Sequence, residues 1–308
     1  MINIGVQTRG ILPDVSIEKG IELIKNAGFD SVDFNLDCFF EKQDGEFDYK
    51  ETIYQFSTEN LNLFFDQYKF EMDQFGVTAA QTHAPYPIWG DMKWEQNDFV
   101  QKEVIPKSIA ITRRLGARWM VVHSVNMRHA HGLQIEREYN ISYFKSLIPI
   151  LKEYGVGICF ENLHSSVGGR QIEGICTNSG EVIDLVDTLN DIAGEELFGV
   201  CLDTGHLQVA KRNPVDYILS VGSRLKALHL HENNGVDDLH QMPFTFGYSE
   251  NDGLDWKGIA KALKQINYQG AIAFETHPCM RAFPDELLLP ALQTIYAIGE
   301  YIKTEIES

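Results

Sequence analysis

Cationic residues are scarce in this chain: 26 Lys and Arg stand against 44 Asp and Glu in 308 residues, a formal charge of −18 at pH 7. The excess of acid is spread along the chain rather than gathered in a tail. A field of that sign repels phosphate backbones and anionic lipid, so neither nucleic acid nor a membrane surface is expected as a partner. Long apolar runs are missing too. None reaches the roughly 18 residues a spanning helix needs. The opening MINIGVQTRG lacks the basic start and apolar middle of a signal peptide, so a cytoplasmic protein is expected. Cysteine is sparse, and Cys38, Cys159, Cys176, Cys201 and Cys279 are odd in number with no metal-ligand spacing, which argues against a disulfide framework. Cys159 and Cys201 lie inside apolar runs, where a small buried thiol is the expected role. No low-complexity tract or linker is visible.

What is present is a repeat. Short runs rich in Val, Ile and Phe alternate with longer stretches carrying apolar residues at i, i+3 and i+4, the pattern of βαβ units and a parallel sheet. Strands are predicted near 2–7, 31–36, 77–83, 119–124, 156–161, 197–203, 226–231 and 271–275. Helices are predicted over 16–27, 59–75, 99–115, 140–154, 179–189, 214–220, 256–266 and 284–306. Glycine follows several helices, as in NAGF at Asn26, QFGV at Gln74, RLGA at Arg114 and EYGV at Glu153, where it supplies a left-handed cap. Eight such pairs close most simply as a (β/α)8 TIM barrel, an α/β fold of this length forming one domain over residues 1–308. Two segments break the repeat, near 37–58 and 232–255. Both follow predicted strands and so fall at the face where such barrels carry their sites; they are candidate lids or substrate walls, or plain insertions.

Ionisable residues recur where six of the apolar runs end: His83, His123, Glu161, Asp203, His229 and Glu275, spaced 40, 38, 42, 26 and 46 residues apart. One strand-helix unit separates most neighbours, so a parallel barrel would gather them round one mouth. Any one of these acids could be a helix N-cap or a loop residue. Three carboxylates brought within a few ångströms repel one another unless a cation compensates them, which points to a divalent metal. His229 and His231 are two apart on one strand and share a face, with Leu228 and Leu230 on the other. Asp238 and His240 form an Asp-x-His pair in the second irregular segment, with solvation as the bland alternative. His164, His129, His131 and His277 fall near the same mouth and are expected to shape the pocket or face solvent. Aromatic residues on and beside the 59–75 helix, Tyr54, Phe56, Phe64, Phe65 and Phe70 with Leu61, suit barrel core or a homo-oligomer contact.

The motifs FEN at Glu161, DTGH at Asp203 to His206, HLHEN at His229 to Asn233 and FET at Glu275 resemble those of the xylose-isomerase-like barrels, over nearly the whole chain. That superfamily holds sugar isomerases and epimerases, and endonuclease IV. The resemblance implies that Glu161, Asp203, His229 and Glu275 hold a divalent ion (Mn, Co, Mg or Zn) and that Glu161 and Glu275 also exchange protons with substrate. His229 is preferred to His231 because Glu232, three residues on, looks like the His-x-x-Asp/Glu of the family. Counterparts of the endonuclease IV motifs also occur at His83, His123, His206, Asp238 and His240, which implies either substrate contacts or additional zinc ligands. The chain departs from ketose epimerases where an arginine is expected after His-x-x-Glu, since Asn233, Asn234 and Gly235 follow. It also has no clear counterpart of the lysine beside the metals in xylose isomerase. Arg170, in VGGRQ, is a candidate anchor for a phosphate or carboxylate, with plain surface exposure as the alternative, and His231 a candidate substrate contact. The expected activity is metal-dependent isomerisation or epimerisation of a small sugar, sugar phosphate or sugar acid through an enediolate. The alternatives are a zinc-cluster phosphodiesterase of the endonuclease IV type and a sugar-binding barrel without turnover.

Overall fold

The computed structural model describes residues 2–12, 16–40, 52–90, 93–127, 131–247 and 253–308. Eight parallel strands form the barrel wall: β1 (Ile4–Gln7), β2 (Ser31–Asn35), β3 (Thr78–His83), β4 (Trp119–Val122), β5 (Gly157–Glu161), β8 (Phe198–Asp203), β9 (Leu225–His229) and β10 (Ile272–Phe274). Their order follows the sequence, and β10 pairs with β1 at Ile4↔Ile272. The ring is completed by a parallel bridge between Leu230 and Phe274. A (β/α)8 barrel is therefore the fold, with strand limits within about two residues of the sequence expectation.

The helices return each strand to the next along the outside. Gly28, Gly76, Gly116 and Gly155 end four of them with φ of 113°, 64°, 91° and 63°, the left-handed caps anticipated from sequence. The apolar faces of helices and strands make one continuous core between wall and helical ring. A second, small cluster fills the lumen: Val121, Cys159, Cys201 and Ala227, with Trp119 packed against them from below. Cys159 and Cys201 are thus buried fillers, and burial raises both thiols above their ordinary range. Gly157 leaves room for Trp119, whose ring would lie 2.2 Å from an added Cβ. Two residues further along the same faces stand His123, Glu161, Asp203 and His229, so the floor and the site are successive layers of one lumen.

Three departures from expectation have local causes. The helix expected from Asn140 begins at Leu133, because Leu133 and Ile135 are 54% and 53% exposed and leave no apolar stripe to read. A hairpin of β6 (His164–Val167) and β7 (Arg170–Glu173) was not anticipated; its residues are half-buried or exposed without alternation, and its turn is Gly168-Gly169, both at positive φ. The helix expected from Phe99 starts at Trp94 and contains a π-helical turn, Val100–Val104, before Ile105–Leu115. Of the first irregular segment, Asp37–Phe39 and Ile53–Gln55 are short 3-10 turns and 41–51 lie outside the described residues. In the second, Glu232 bridges to Gln241 and 248–252 lie outside. Of the aromatic residues near 54–70, Tyr54 and Phe65 are core, whereas Phe56 and Phe70 are exposed. No described helix is long and apolar enough to cross a membrane.

Candidate metal centre and active site

The strand ends converge as the spacing implies. Ligand atoms of Glu161, Asp203, His229 and Glu275 lie within 4.8 Å of one another, as do those of His83, Glu161 and His229, and those of His206, His231, Asp238 and His240. Glu161 is the hub. Its Oε2 is 3.3 Å from His83 Nε2 and 3.1 Å from His123 Nε2; its Oε1 is 3.3 Å from His206 Nδ1 and 3.4 Å from His229 Nδ1. Glu275 Oε2 lies 3.3 Å from the same His229 nitrogen. A cavity of about 260 Å³ opens beside them, lined by Tyr86, His123, Glu161, His164, His206, Asp238, His240 and Glu275 among others.

Two kinds of distance occur here. Where an imidazole N–H donates outward, contacts are 2.8–2.9 Å: His229 Nε2 to Asp33 Oδ2, His83 Nδ1 to the Ala84 carbonyl, His206 Nδ1 to the Asn162 carbonyl. Where the opposite nitrogen of His83 or His229 faces a carboxylate of the ring, contacts are 3.3–3.4 Å. Neighbouring donors of a tetrahedral ion with bonds of about 2.0–2.1 Å are separated by roughly 3.3 Å. A neutral imidazole that has donated its one N–H offers only a lone pair on the other side, and a lone pair facing a carboxylate is repulsive unless a proton or cation lies between them. His229 Nδ1 accordingly has no hydrogen-bond partner, although it is fully buried. The donor set of two glutamates, one aspartate and one imidazole suits Mn, Mg, Co or Zn. These residues fit a divalent ion.

The electrostatics agree. Two unit charges 4 Å apart interact by about 4 kcal/mol at an effective dielectric of 20, so Glu161, Asp203 and Glu275 cannot sit together uncompensated without large cost. In the metal-free chain protons supply the compensation. Burial disfavours charge on His83, yet the adjoining Glu161 carboxylate outweighs it and lifts the imidazole to about 9. His240 is also raised to about 9, burial being overcome by Asp238 and Glu275. Burial alone would raise Glu161, but His229 and His123 hold it well below the carboxylate range. His123 goes the other way, lowered chiefly by burial. Because His83 and His240 bind protons more tightly folded than unfolded, their stabilisation is full below about pH 6.5 and is lost as pH rises to about 9. The chelated protein should therefore lose thermal stability between pH 6.5 and 9.5. In the metal-loaded protein the ion takes over the compensation of Glu161 and Glu275 that holds those protons, so the loss over the same range should be smaller. Parallel melting curves in the two states check this.

Each side chain is held by the fold around it. Asp203 caps the short helix Thr204–Val209, its Oδ1 accepting the His206 N–H at 2.6 Å, while Oδ2 accepts from His231 Nε2 at 2.9 Å. Asn162 stitches β5 to β8: its Oδ1 accepts the Asp203 N–H at 2.8 Å and its Nδ2 donates to the Asp203 carbonyl at 2.9 Å. Gly205 gives the buried His231 ring its space, since an added Cβ would lie 2.0 Å from His231 Cε1. His229, rather than His231, stands in the acid quartet; His231 stacks flat on His240 at 3.9 Å. Glu232, the acid that singled out His229 in sequence, is structural: its carboxylate accepts the Leu254 and Phe246 N–H groups and secures the loop.

Arg170 is not brought to the ring. It is exposed beside the turn of the β6–β7 hairpin, opposite Val167. His131 is exposed, His277 stands 5.9 Å from His240, and His129 lies outside the described residues. Sequence reasoning missed Asp33, which fixes His229; its only mark was an acid between Val32 and Phe34 in the short strand SVDFN. It also missed Arg9, whose Nη1 donates to Asp37 Oδ2 at 2.5 Å and to the Tyr86 hydroxyl at 2.8 Å at the edge of the cavity. The Tyr86 ring lies against His123 at 4.2 Å.

An eight-stranded parallel barrel with acids and imidazoles at the carboxyl ends of its strands places a group of candidate metal ligands at the face where TIM-barrel enzymes carry their active sites. The chain belongs to the xylose isomerase-like TIM barrel family, whose pattern matches residues 21–293. A D-psicose 3-epimerase of Enterocloster bolteae is 35% identical over 158 residues, 51% of this chain and 44% of that protein. The crystal structure of a D-psicose 3-epimerase in the presence of D-fructose superposes with a TM-score of 0.68 at 14% identity, covering 98% of this chain and 99% of that one. The 3-keto-D-glucoside 4-epimerase of E. coli superposes with a TM-score of 0.67 at 15% identity, covering 99% and 100%.

Proposed function

We propose that the protein is a divalent-metal-dependent isomerase or epimerase of a small sugar or sugar derivative. The observation that carries this reading is the pair Glu161 and Glu275, both beside the unpartnered His229 Nδ1 and both lining the cavity. The epimerase relatives support the substrate class. A divalent ion held by Glu161, Asp203, His229 and Glu275 would supply Lewis-acid stabilisation of negative charge on neighbouring substrate oxygens, worth several kcal/mol. Glu161 and Glu275 would remove and return the carbon-bound proton, which is far too weakly acidic for a carboxylate to take unaided. His206, its Nδ1 turned onto the Asn162 carbonyl, would present Nε2 to a hydroxyl. Tyr86 and His123 would form one wall, and Tyr86 would keep its orientation through Arg9.

In deuterated solvent, metal-loaded enzyme should place deuterium on the substrate carbon next to the carbonyl. Glu275→Gln should lower that exchange by about 10²–10⁴-fold, the usual range for a positioned acid-base group, while keeping most of its metal. Exchange at the wild-type rate in this variant would remove Glu275 from the role.

A second reading, hydrolysis at a zinc cluster, is favoured by the further donors preassembled on the same ring, His83 and His123 on Glu161 Oε2 and the histidines round Asp238. The charge of −18 argues against a nucleic-acid backbone as its substrate. Phosphodiesterase turnover by the zinc-loaded protein, with no proton exchange on sugars, would reverse the order.

A further inference from the structure

Arg9, Asp37 and Tyr86 form a network at the rim of the cavity, apart from the acid quartet. Three segments supply it: Arg9 follows β1, Asp37 opens the 3-10 turn after β2, and Tyr86 follows β3. The wall ties these ends together through its backbone. The Arg9 N–H donates to Asn35 Oδ1 at 3.0 Å, and the Leu36 N–H donates to the His83 carbonyl at 2.9 Å. Arg9 Nη1 then donates both to Asp37 Oδ2, at 2.5 Å, and to the Tyr86 hydroxyl, at 2.8 Å. Asp37 is 3% exposed, so the two charges are held as a pair under little solvent.

The hydrogen of the Tyr86 hydroxyl has a definite place. A guanidinium donates and cannot accept, so in the Arg9 contact the phenol oxygen is the acceptor. Among the described residues, Arg9 is the hydroxyl's hydrogen-bond partner. The ring is fixed on its faces, lying on His123 at 4.2 Å and against His83 at 5.3 Å. A phenol O–H prefers the plane of its ring, so with Arg9 on one side of the oxygen the hydrogen falls on the other. Burial, helped by the charges of Asp37 and Glu275, raises the phenol above its ordinary range, so the hydrogen stays in place at neutral pH. Glu161, Asp238 and Glu275 line the same cavity, and ionised carboxylates only accept. A substrate oxygen that gains charge there needs a donor.

We propose that Tyr86 is a further catalytic residue, whose hydroxyl donates to a substrate oxygen that becomes negative during the reaction, and that Arg9, held by Asp37, is its positioning residue. The inference rests on the isomerase or epimerase reading above. A cation on the phenol oxygen polarises the O–H and makes it a stronger donor. A donor fixed in advance pays no reorganisation when the charge appears. The phenol keeps its own proton throughout, and the carbon-bound proton remains the business of Glu161 and Glu275.

Glycolohydroxamate, a small mimic of an enediolate, probes the contact without turnover. Manganese-loaded wild type should bind it in calorimetry. Tyr86→Phe, which keeps the ring on His123, should bind it about 10–100-fold more weakly, the worth of a hydrogen bond to a charged group, with manganese affinity and circular dichroism unchanged. On a ketose whose hydrogen the wild type exchanges, Tyr86→Phe should lower kcat by about 10²–10³-fold with little change in KM, since the contact strengthens only as charge develops. Replacing the pair together, Arg9→Met with Asp37→Asn, should weaken the hydroxamate and add little to Tyr86→Phe, because the pair acts through the hydroxyl. A wild type that does not bind the hydroxamate, equal affinity in wild type and Tyr86→Phe, or losses from pair and phenol that simply add would each overturn the proposal. Hydroxamate binding that depends on Tyr86 in a protein that exchanges no ketose hydrogen would uphold the contact and fail the isomerase reading alone.

Discussion

Glu161→Gln should lower turnover by about 10³-fold or more and weaken the quartet's ion by over about 100-fold, with little loss of fold. Glu161 places each carboxylate oxygen between two imidazoles, at 3.1–3.4 Å. An amide of the same shape keeps the packing but replaces one carboxylate oxygen by an NH2 group and carries no charge, so it can neither bind a cation well nor accept a substrate proton. The effect should also be visible without substrate. Glu161 is the principal group that lifts His83 to about 9 against burial, so in the metal-free variant His83 should titrate well below that value. NMR titration of the imidazoles reads this directly. An unchanged His83 together with unchanged metal affinity would dismiss Glu161 as the hub.

Asp203→Ala should be the most destabilising single change in the ring, about 1.5–5 kcal/mol in urea unfolding of the metal-free protein. The sum has two parts. Loss of the cap on Thr204–Val209 costs about 0.5–2 kcal/mol, and leaving the buried His231 N–H without its acceptor costs about 1–3 kcal/mol. Asp203→Asn separates fold from metal. Its oxygen retains the cap, and its amide N–H can donate to His231 Nε2 once that ring moves its proton to Nδ1, which has no partner to lose. Asp203→Asn should thus fold within about 1 kcal/mol of wild type while still losing metal affinity. Equal instability in both variants would show that the charge itself, not the hydrogen bonds, holds this end of the barrel.

The sequence exposed the barrel because strands buried on both faces write continuous apolar runs, and because the caps at Gly28, Gly76, Gly116 and Gly155 punctuate the helices. It exposed the ring for a related reason. A residue such as Glu161 or Asp203 at the end of an apolar run has one direction to face once the wall closes. Elements that bury little were illegible: the β6–β7 hairpin is half solvent-facing, and Leu133 and Ile135 begin a helix with apolar residues turned outward. Outer partners were hidden for a different reason. Asp33 meets His229 across 196 positions, and Asn233 acts on Asp238 and His240 through a loop without period. Neither spacing nor propensity encodes such contacts, which exist only after closure. At Arg170 the plain alternative holds: an arginine beside a glycine pair suggests an anion site, but the turn carries it outward.

Metal content is the most direct test of the cation at the acid quartet. Protein purified without chelator, or dialysed against Mn, Co or Zn and then desalted, should retain a divalent ion that depends on Glu161, Asp203 and His229, and His229→Gln should lose that equivalent. A folded protein that keeps no ion under these conditions, or whose His229→Gln variant keeps the same complement as wild type, would contradict the account.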